Sequence, residues 1–185
     1  MKPSSALAAT VALLVVSSVA GAAKAPFEGR IQLRMRDAEP QGATYSVRAG
    51  RARIDVPSIR GVHDLHFAVD LAGDRGPRPQ SVALQKSGHM RAVVGQRCED
   101  WRLLDGSDVV DACVVAGAGW YDPRRLMGGD VPAWSRLLEI EGAFPISVTE
   151  VRDGRAVFAM WATDAKREPV TDDVLTLGPA RSPVM

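Results

Sequence analysis

The sequence lacks an excess of either charge. Its 185 residues include 23 Lys and Arg against 22 Asp and Glu, which leaves a net charge of +1. A nucleic-acid-binding domain normally carries a clustered excess of basic residues, so this balance argues against nucleic acid as a partner. At 46% hydrophobic and 24% charged residues, the chain is also too apolar for a disordered tail. The composition predicts one globular domain.

Catalytic motifs that can be recognised from their spacing are also missing. The sequence has no Gly-x-Ser-x-Gly turn, no Gly-rich phosphate loop, no His-Glu-x-x-His pair and no EF-hand loop. The best metal-binding candidate is His63-Asp64-Leu65-His66, but residues three apart on a strand point to opposite faces. We therefore expect a non-enzymatic protein without metal or cofactor. A hydrolase is the alternative, with no residue to assign to it.

Long apolar runs are absent except near the N-terminus. Lys2 precedes an apolar stretch at 6–20, and Ala20-Gly21-Ala22 follows. A short cationic region, an apolar stretch and an Ala-x-Ala-like site are typical of a secretory signal peptide. The sequence predicts a signal peptide at 1–22 and a single domain at 23–185. We expect a periplasmic or secreted protein with no transmembrane segment after signal removal; an uncleaved membrane anchor is the alternative.

The chain has only two cysteines, Cys98 and Cys113. In an exported protein an even number of cysteines is typical of disulfide bonding. The spacing is not the Cys-x-x-Cys of redox enzymes. We therefore predict one disulfide between them, and a catalytic or metal-binding pair is the alternative.

A hairpin signal lies between the two cysteines. Asp105-Gly106 is flanked by strand-like residues, which is typical of a two-residue turn. Pairing Leu104 with Ser107 across this turn places the cysteines opposite each other. The same register places Asp100 opposite Asp111, an unfavourable contact that a bulge or a three-residue loop would relieve.

Most of the remaining chain alternates between apolar and polar residues, as a half-buried strand does. The alternation begins at 27–36 and continues on both sides of a predicted turn at Ala49-Gly50. Counting outward from this turn sets Tyr45 opposite Ile54. A second hairpin turn is expected at Arg152–Arg155. Further strands are predicted at Leu65–Leu71, Ser81–Gln85, Met90–Leu104, Val109–Val115, Phe144–Val151, Arg155–Ala162 and Val174–Leu177.

One segment has the spacing of a helix. Asp130 is a candidate N-cap for a helix that carries Trp134, Leu137 and Leu138 on one face. A further helical turn is expected near Pro123–Met127. The sequence therefore predicts a mainly β fold with a minor α component: one curved antiparallel sheet, or half-barrel, with one or two short helices packed on its concave face.

Four segments in order resemble a known family: Phe27–Met35, Arg51–Asp55, Cys98–Trp101 and Val148–Val151. They resemble an uncharacterised family of exported bacterial proteins, itself similar in fold to the lipoprotein carriers LolA and LolB. The resemblance covers most of the chain after the signal peptide. The chain departs from it at Leu175–Pro179, where members often have a Phe-x-x-Pro-x-Gly-Tyr-like segment. The resemblance implies a half-barrel with a helical plug and a hydrophobic cavity, but fold alone does not imply lipoprotein transport.

The hairpin at 144–162 is apolar on both faces, which is typical of a strand that is covered on both sides or that lines a cavity. An ordinary core uses the same residue types and is the alternative. Together with the resemblance, this pattern favours a protein that binds a lipid or acyl ligand in a half-barrel cavity. The candidate ligand-binding residues are Trp101, Trp120, Tyr121, Trp134, Phe158 and Met160.

Six arginines fall on the polar face of the first three predicted strands. Guanidinium groups bind phosphate and carboxylate bidentately, so a cluster of them suits an anionic partner. The chain uses Arg almost to the exclusion of Lys, however, and any solvated strand would then carry arginines. The alternative function is an envelope interaction or scaffold domain that binds a protein or an anionic surface. The candidate anion-binding residues are Arg30, Arg34, Arg36, Arg48, Arg51 and Arg53.

Overall fold

The computed structural model describes residues 26–36, 38, 40–57, 64–71 and 76–176. The predicted signal peptide at 1–22 lies outside these residues, as do His63 and Leu177. Among the described residues, no helix is both long and apolar enough to cross a membrane.

The described residues form a β-rich fold with three short helices. The strands are β1 (Gly29–Arg36), β2 (Gly42–Arg48), β3 (Arg51–Val56), β4 (Leu65–Asp70), β5 (Val82–Val93), β6 (Gln96–Asp105), β7 (Asp108–Ala116), β8 (Ala143–Arg152) and β9 (Arg155–Arg167). The helices are α1 (Pro123–Leu126), α2 (Ala133–Glu141) and α3 (Asp172–Leu175). The strands build one sheet in the order β4-β3-β2-β1-β9-β8-β7-β6-β5. This curved, open antiparallel sheet confirms the predicted mainly β fold.

The sheet consists of two meanders that join where the first strand pairs with the last. β1–β4 form one meander and β5–β9 the other, and β1 pairs with β9 along its whole length. Along β1 every second residue is buried, including Ile31 and Leu33, while Arg30 and Arg34 are exposed. We call the face with Ile31 the inner face and the face with Arg34 the outer face. The inner face carries the hydrophobic core.

The predicted turn at Ala49-Gly50 is confirmed, and so is its register, with Tyr45 opposite Ile54. Both turn residues have positive φ, 43° and 82°, the conformation that matches the twist of a two-residue hairpin. The predicted turn at Arg152–Arg155 is also confirmed.

The β6–β7 hairpin has a different register from the predicted one. The predicted pairing of Leu104 with Ser107 is wrong, because Asp105 pairs with Asp108 and the turn is Gly106-Ser107. Gly106 has the positive φ, 63°, that starts this turn.

The observed register removes the like-charge contact that the predicted one contained. In the observed register Asp111 lies opposite Arg102 and not opposite Asp100. The Arg102 Nε donates to Asp111 Oδ1 at 2.7 Å. Cys98 and Cys113 are then offset by two positions rather than directly opposite. They still lie at disulfide distance, as predicted, with Cα atoms 5.3 Å apart.

The predicted single strand at Met90–Leu104 is wrong, because the chain turns at Val94-Gly95 between β5 and β6. Val94 adopts a φ of 43°, a conformation that β-branched residues rarely take. A Val-Gly pair is therefore not a typical turn signal. The hairpin places Met90 opposite Glu99 on the inner face.

The predicted apolar face of α2 is confirmed, since Trp134, Leu137 and Leu138 are fully or almost fully buried. The predicted cap is wrong: Pro132 occupies the N-cap position without a side-chain hydrogen bond, and Asp130 does not cap the helix. α2 lies on the inner face, against β5, β6 and β8.

The C-terminal segment differs from the predictions in two ways. Val174 and Leu175 belong to the short helix α3 rather than to a strand. α3 packs on β2 and β3 from the outer face, whereas we expected helices only on the concave face. Arg48 forms an ion pair with Asp172 and donates to the Val170 carbonyl at 2.7 Å, which holds the segment in place.

We predict that removing the disulfide lowers stability without changing the fold. The bond closes a loop of sequence separation 15, for which loop-closure entropy corresponds to about 3 kcal/mol. The variant C98S/C113S should lose about this much free energy of unfolding in a denaturant titration. Wild-type protein in reducing agent is the control and should show the same loss. Equal stability of reduced and oxidised protein would contradict the prediction.

Candidate functional site

A network of buried polar groups holds α1 and α2 on the inner face. We call residues 120–142, which contain both helices, the plug. Asp122 is 0% exposed and caps α1 by accepting from the Arg124 backbone N–H at 2.9 Å. Its carboxylate also accepts from the Arg124 guanidinium and, at 2.6 Å, from the Ser135 hydroxyl of α2. One carboxylate therefore joins the two helices.

Glu139 of α2 completes the network. Its Oε1 accepts from the Asp122 backbone N–H at 2.8 Å, and its Oε2 lies 3.4 Å from the Arg125 guanidinium. Burial raises the pKa of the Glu139 carboxyl above its usual range, and the nearby Asp122 adds to this. Burial also raises the pKa of Tyr45 well above its ordinary value. The Tyr45 hydroxyl therefore stays protonated and donates to the Tyr121 carbonyl at 2.9 Å.

Two of the predicted ligand-binding tryptophans belong to this packed structure. The Trp120 indole donates to Ser135 Oγ at 2.8 Å, and the Trp134 indole donates to Glu150 Oε2 at 3.0 Å. Both rings are almost fully buried. Their polar atoms already have partners, so these indoles offer no hydrogen bond to a ligand.

Three further predicted ligand-binding residues also make packing contacts: Tyr121, Phe158 and Met160. The Arg124 guanidinium lies 4.7 Å from the centre of the Phe158 ring, and Arg125 lies 5.3 Å from the centre of the Tyr121 ring. Phe158 and Met160 are 5% and 1% exposed. The structure therefore places Phe158 and Met160 in the core under the plug, and Tyr121 in the plug itself.

Trp101 is the exception among the six. It lies on the inner face of β6, at 8% exposure, and its Nε1 has no hydrogen-bond partner among the described residues. The Lys86 ammonium lies over its ring, 4.2 Å from the centroid, and also pairs with Glu141 at the end of α2. Trp101 thus marks the border between the plug and the uncovered part of the sheet.

A groove of about 550 Å³ adjoins Trp101 at the open end of the inner face. Its apolar part includes Met90, Trp101 and Val114, which neighbouring strands bring together. Met90 is 41% exposed, which is unusual for a large apolar side chain. Arg97 and Arg167 stand at the rim.

The groove has a cationic rim. Arg97 forms no ion pair with any described residue, and the Arg167 guanidinium carbon lies 5.0 Å from the centre of the Phe27 ring. Glu99 also lines the groove, but its Oε1 accepts from the Gly88 backbone N–H at 3.0 Å. The groove therefore combines an apolar floor with the Glu99 carboxylate and two arginines that lack a carboxylate partner in the described part of the chain.

Sequence reasoning missed Met90, Arg97 and Arg167. No sequence signal pointed to the first two, because the turn at Val94-Gly95 that sets β5 against β6 is not a typical turn pair. Asp122 was also missed, although Asp122-Pro123 is a typical N-cap followed by a proline in the first turn.

The structure divides the six predicted arginines into two groups. Arg48, Arg51 and Arg53 of β2 and β3 contact the C-terminal segment, through Asp172 or the carbonyl of Val174. Arg30, Arg34 and Arg36 lie on the outer face of β1. The nearest acidic group to Arg30 is Glu168, at 3.7 Å.

The two histidines that the structure describes, His66 and His89, each contact a carboxylate. His66 Nδ1 lies 2.6 Å from Asp55 Oδ1, and His89 Nδ1 lies 2.8 Å from Asp100 Oδ2. Arg91 and His89 together hold the pKa of Asp100 below its usual range, with the Arg91 hydrogen bond as the larger cause. Within the described ranges, no three His, Cys, Asp or Glu side chains are grouped closely enough to hold a metal ion.

Comparisons with known proteins identify no family. A scan against protein-family profiles finds no match, and a search of curated proteins finds none either. Among solved structures, the chain is similar to an uncharacterized conserved protein from Thermus thermophilus. The identity is 12% and the TM-score 0.45, over 82% of this chain and 85% of that chain. A likeness at this level carries no argument about function.

We predict that the variant E139Q is more stable than wild type at neutral pH. The raised pKa means that the folded state favours the protonated carboxyl, so the charged form destabilises the fold once the pH exceeds the folded pKa. Glutamine keeps an oxygen for the Asp122 N–H without the charge. Chemical denaturation should show a higher free energy of unfolding for E139Q at pH 7.5, and the difference should disappear below the ordinary pKa of Glu.

The matched control is E141Q on the same helix. Glu141 pairs with Lys86 and Arg78 near the surface, so this variant should gain no stability at pH 7.5. A loss of stability in E139Q at pH 7.5 would contradict the account of Glu139.

Proposed function

We propose that this protein is an exported, non-enzymatic carrier that binds an acyl ligand with an anionic head group in the groove beside Trp101. The location outside the cytoplasm and the similarity to LolA and LolB are part of the proposal. The observation that carries it is the Trp101 indole, which lines an apolar groove and has no hydrogen-bond partner among the described residues.

An unmade hydrogen bond at a buried indole is unfavourable, at about 1–3 kcal/mol. Buried polar groups are paired in the great majority of cases, and an exception calls for an explanation. A ligand oxygen that accepts from Trp101 Nε1 would remove this cost. The contrast with Trp120 and Trp134, whose indoles both have acceptors, supports a role for Trp101 that is not structural.

The chemical class of the ligand follows from the groove. The apolar floor suits an alkyl chain. The guanidinium groups of Arg97 and Arg167, which form no ion pair with a described residue, suit a carboxylate or phosphate at its end. At about 550 Å³ the groove is within the usual range for small-molecule sites. A ligand with both features, such as a fatty acid or a lysophospholipid, fits this arrangement.

The position of the plug also supports the proposal. α2 covers part of the inner face at β5, β6 and β8, and no residue of α2 lines the groove beside Trp101. The cysteine pair at disulfide distance is typical of proteins outside the cytoplasm.

We predict that W101F weakens binding of dodecanoate while keeping the fold. Phenylalanine preserves an aromatic ring but removes the N–H donor, so the dissociation constant should rise roughly tenfold or more. The dissociation constant is measured by isothermal titration calorimetry below the micellar concentration of the ligand. W161F, which changes an outer-face tryptophan, is the control and should bind as wild type does.

A double variant tests the two arginines at the rim of the groove. R97S/R167S should weaken binding of dodecanoate but leave binding of the uncharged dodecanol unchanged. Only dodecanoate has a carboxylate that can pair with the two guanidinium groups. Undiminished dodecanoate binding by both W101F and R97S/R167S would contradict this site.

A further inference from the structure

The outer face of β1 and β9 carries a second surface, which we call the outer patch: Arg34, Arg36, Val157 and Trp161. The sheet register places Arg34 directly opposite Trp161 and Arg36 opposite Ala159. Val157 precedes Trp161 by four residues on β9, at the register shift where Phe158 pairs with Glu150 and Ala156 pairs with Val151. The patch therefore lies across the pair of strands that joins the two meanders.

The apolar residues of the outer patch are exposed. Val157 and Trp161 are each 36% exposed, and they belong to the small group of large hydrophobic side chains that the described fold leaves in solvent. Exposed apolar groups next to charged residues are typical of interaction surfaces.

The two arginines of the outer patch lack carboxylate partners among the residues that the structure describes. Arg34 forms no ion pair within those residues, and the Arg36 guanidinium carbon lies over the Trp161 ring, 5.9 Å from its centre. Arg48 and Arg51, on the neighbouring strands, pair with Asp172. Among the described residues, the arginines of β2 and β3 therefore have carboxylate partners and those of the outer patch have none.

A broad, open groove of about 960 Å³ runs beside the outer patch. Arg34, Arg36 and Trp161 line one part of it, and Asp55 lies at the other. The Asp55 carboxylate already pairs with Arg53 and with His66, at 2.7 and 2.6 Å. At the Trp161 end, Arg34 and Arg36 therefore have no carboxylate partner among the described residues, and Asp64 also lines the groove.

We propose that the outer patch docks the protein on the surface of a lipid bilayer that contains anionic phospholipid. Guanidinium groups bind lipid phosphates bidentately, and tryptophan favours the interface between head groups and acyl chains. The outer patch has both kinds of group on one sheet face: its arginines suit the phosphates, and Trp161 suits the boundary between head groups and acyl chains. The outer patch is on the opposite face from the Trp101 groove, so docking does not depend on the proposed acyl site.

The test is co-sedimentation of the full protein with vesicles of phosphatidylcholine alone or with added phosphatidylglycerol. Wild type should bind the anionic vesicles and not the neutral ones, and binding should fall as salt rises. R34S/R36S should reduce the partition coefficient about thirtyfold, since each arginine near an anionic surface contributes about 1 kcal/mol. W161A, which keeps both arginines, should also weaken binding.

The control R91S/R102S removes the same charge from β5 and β6 and should bind as wild type does, with retained folding of each variant verified by thermal melting. W101F should also bind vesicles as wild type does, which separates docking from acyl-ligand binding. Equal binding by R34S/R36S and R91S/R102S would overturn the proposal. Failure of wild type to bind anionic vesicles would do the same and would point to a protein as the partner of the outer patch.

Discussion

The hydrogen bonds of Asp122 decide where the helices lie, and the rest of the inner face depends on that position. A carboxylate with no exposure to solvent must have its charge and lone pairs satisfied, and here Arg124 and Ser135 do so. Loss of one partner of a buried pair typically costs about 3–5 kcal/mol. The plug is therefore held in one place by directional bonds in addition to the apolar contacts of α2.

This position of the plug divides the inner face into two parts with different packing. Trp134 of the plug packs on Phe158 of β9 beside Arg124, and together they form a closed core. Beyond α2, Trp101 stands at the start of an uncovered groove, and its indole donor has no partner among the described residues. A half-barrel that is filled at one end and open at the other suits a small amphiphilic ligand better than a large buried one.

The predictable part of the fold is the part in which local pattern and global structure agree. Alternation along β1 and the turn at Ala49-Gly50 predicted the strands and their register, because a one-residue slip would expose the apolar face. The turn at Val94-Gly95 could not be predicted, since Val94 adopts a positive φ that β-branched side chains disfavour. The candidate site could be predicted only as a set of aromatic residues, because sequence does not show which indole finds an acceptor.

The measurement that tests this account most directly is ¹⁵N–¹H NMR of the indole groups during titration with dodecanoate. The chain has four tryptophans, at positions 101, 120, 134 and 161, so the indole region is simple. The account predicts that the Trp101 signal shifts as the indole gains an acceptor, while the Trp120 and Trp134 signals stay unchanged. Shifts at Trp120 and Trp134 with none at Trp101 would place the ligand beneath the plug and contradict the account.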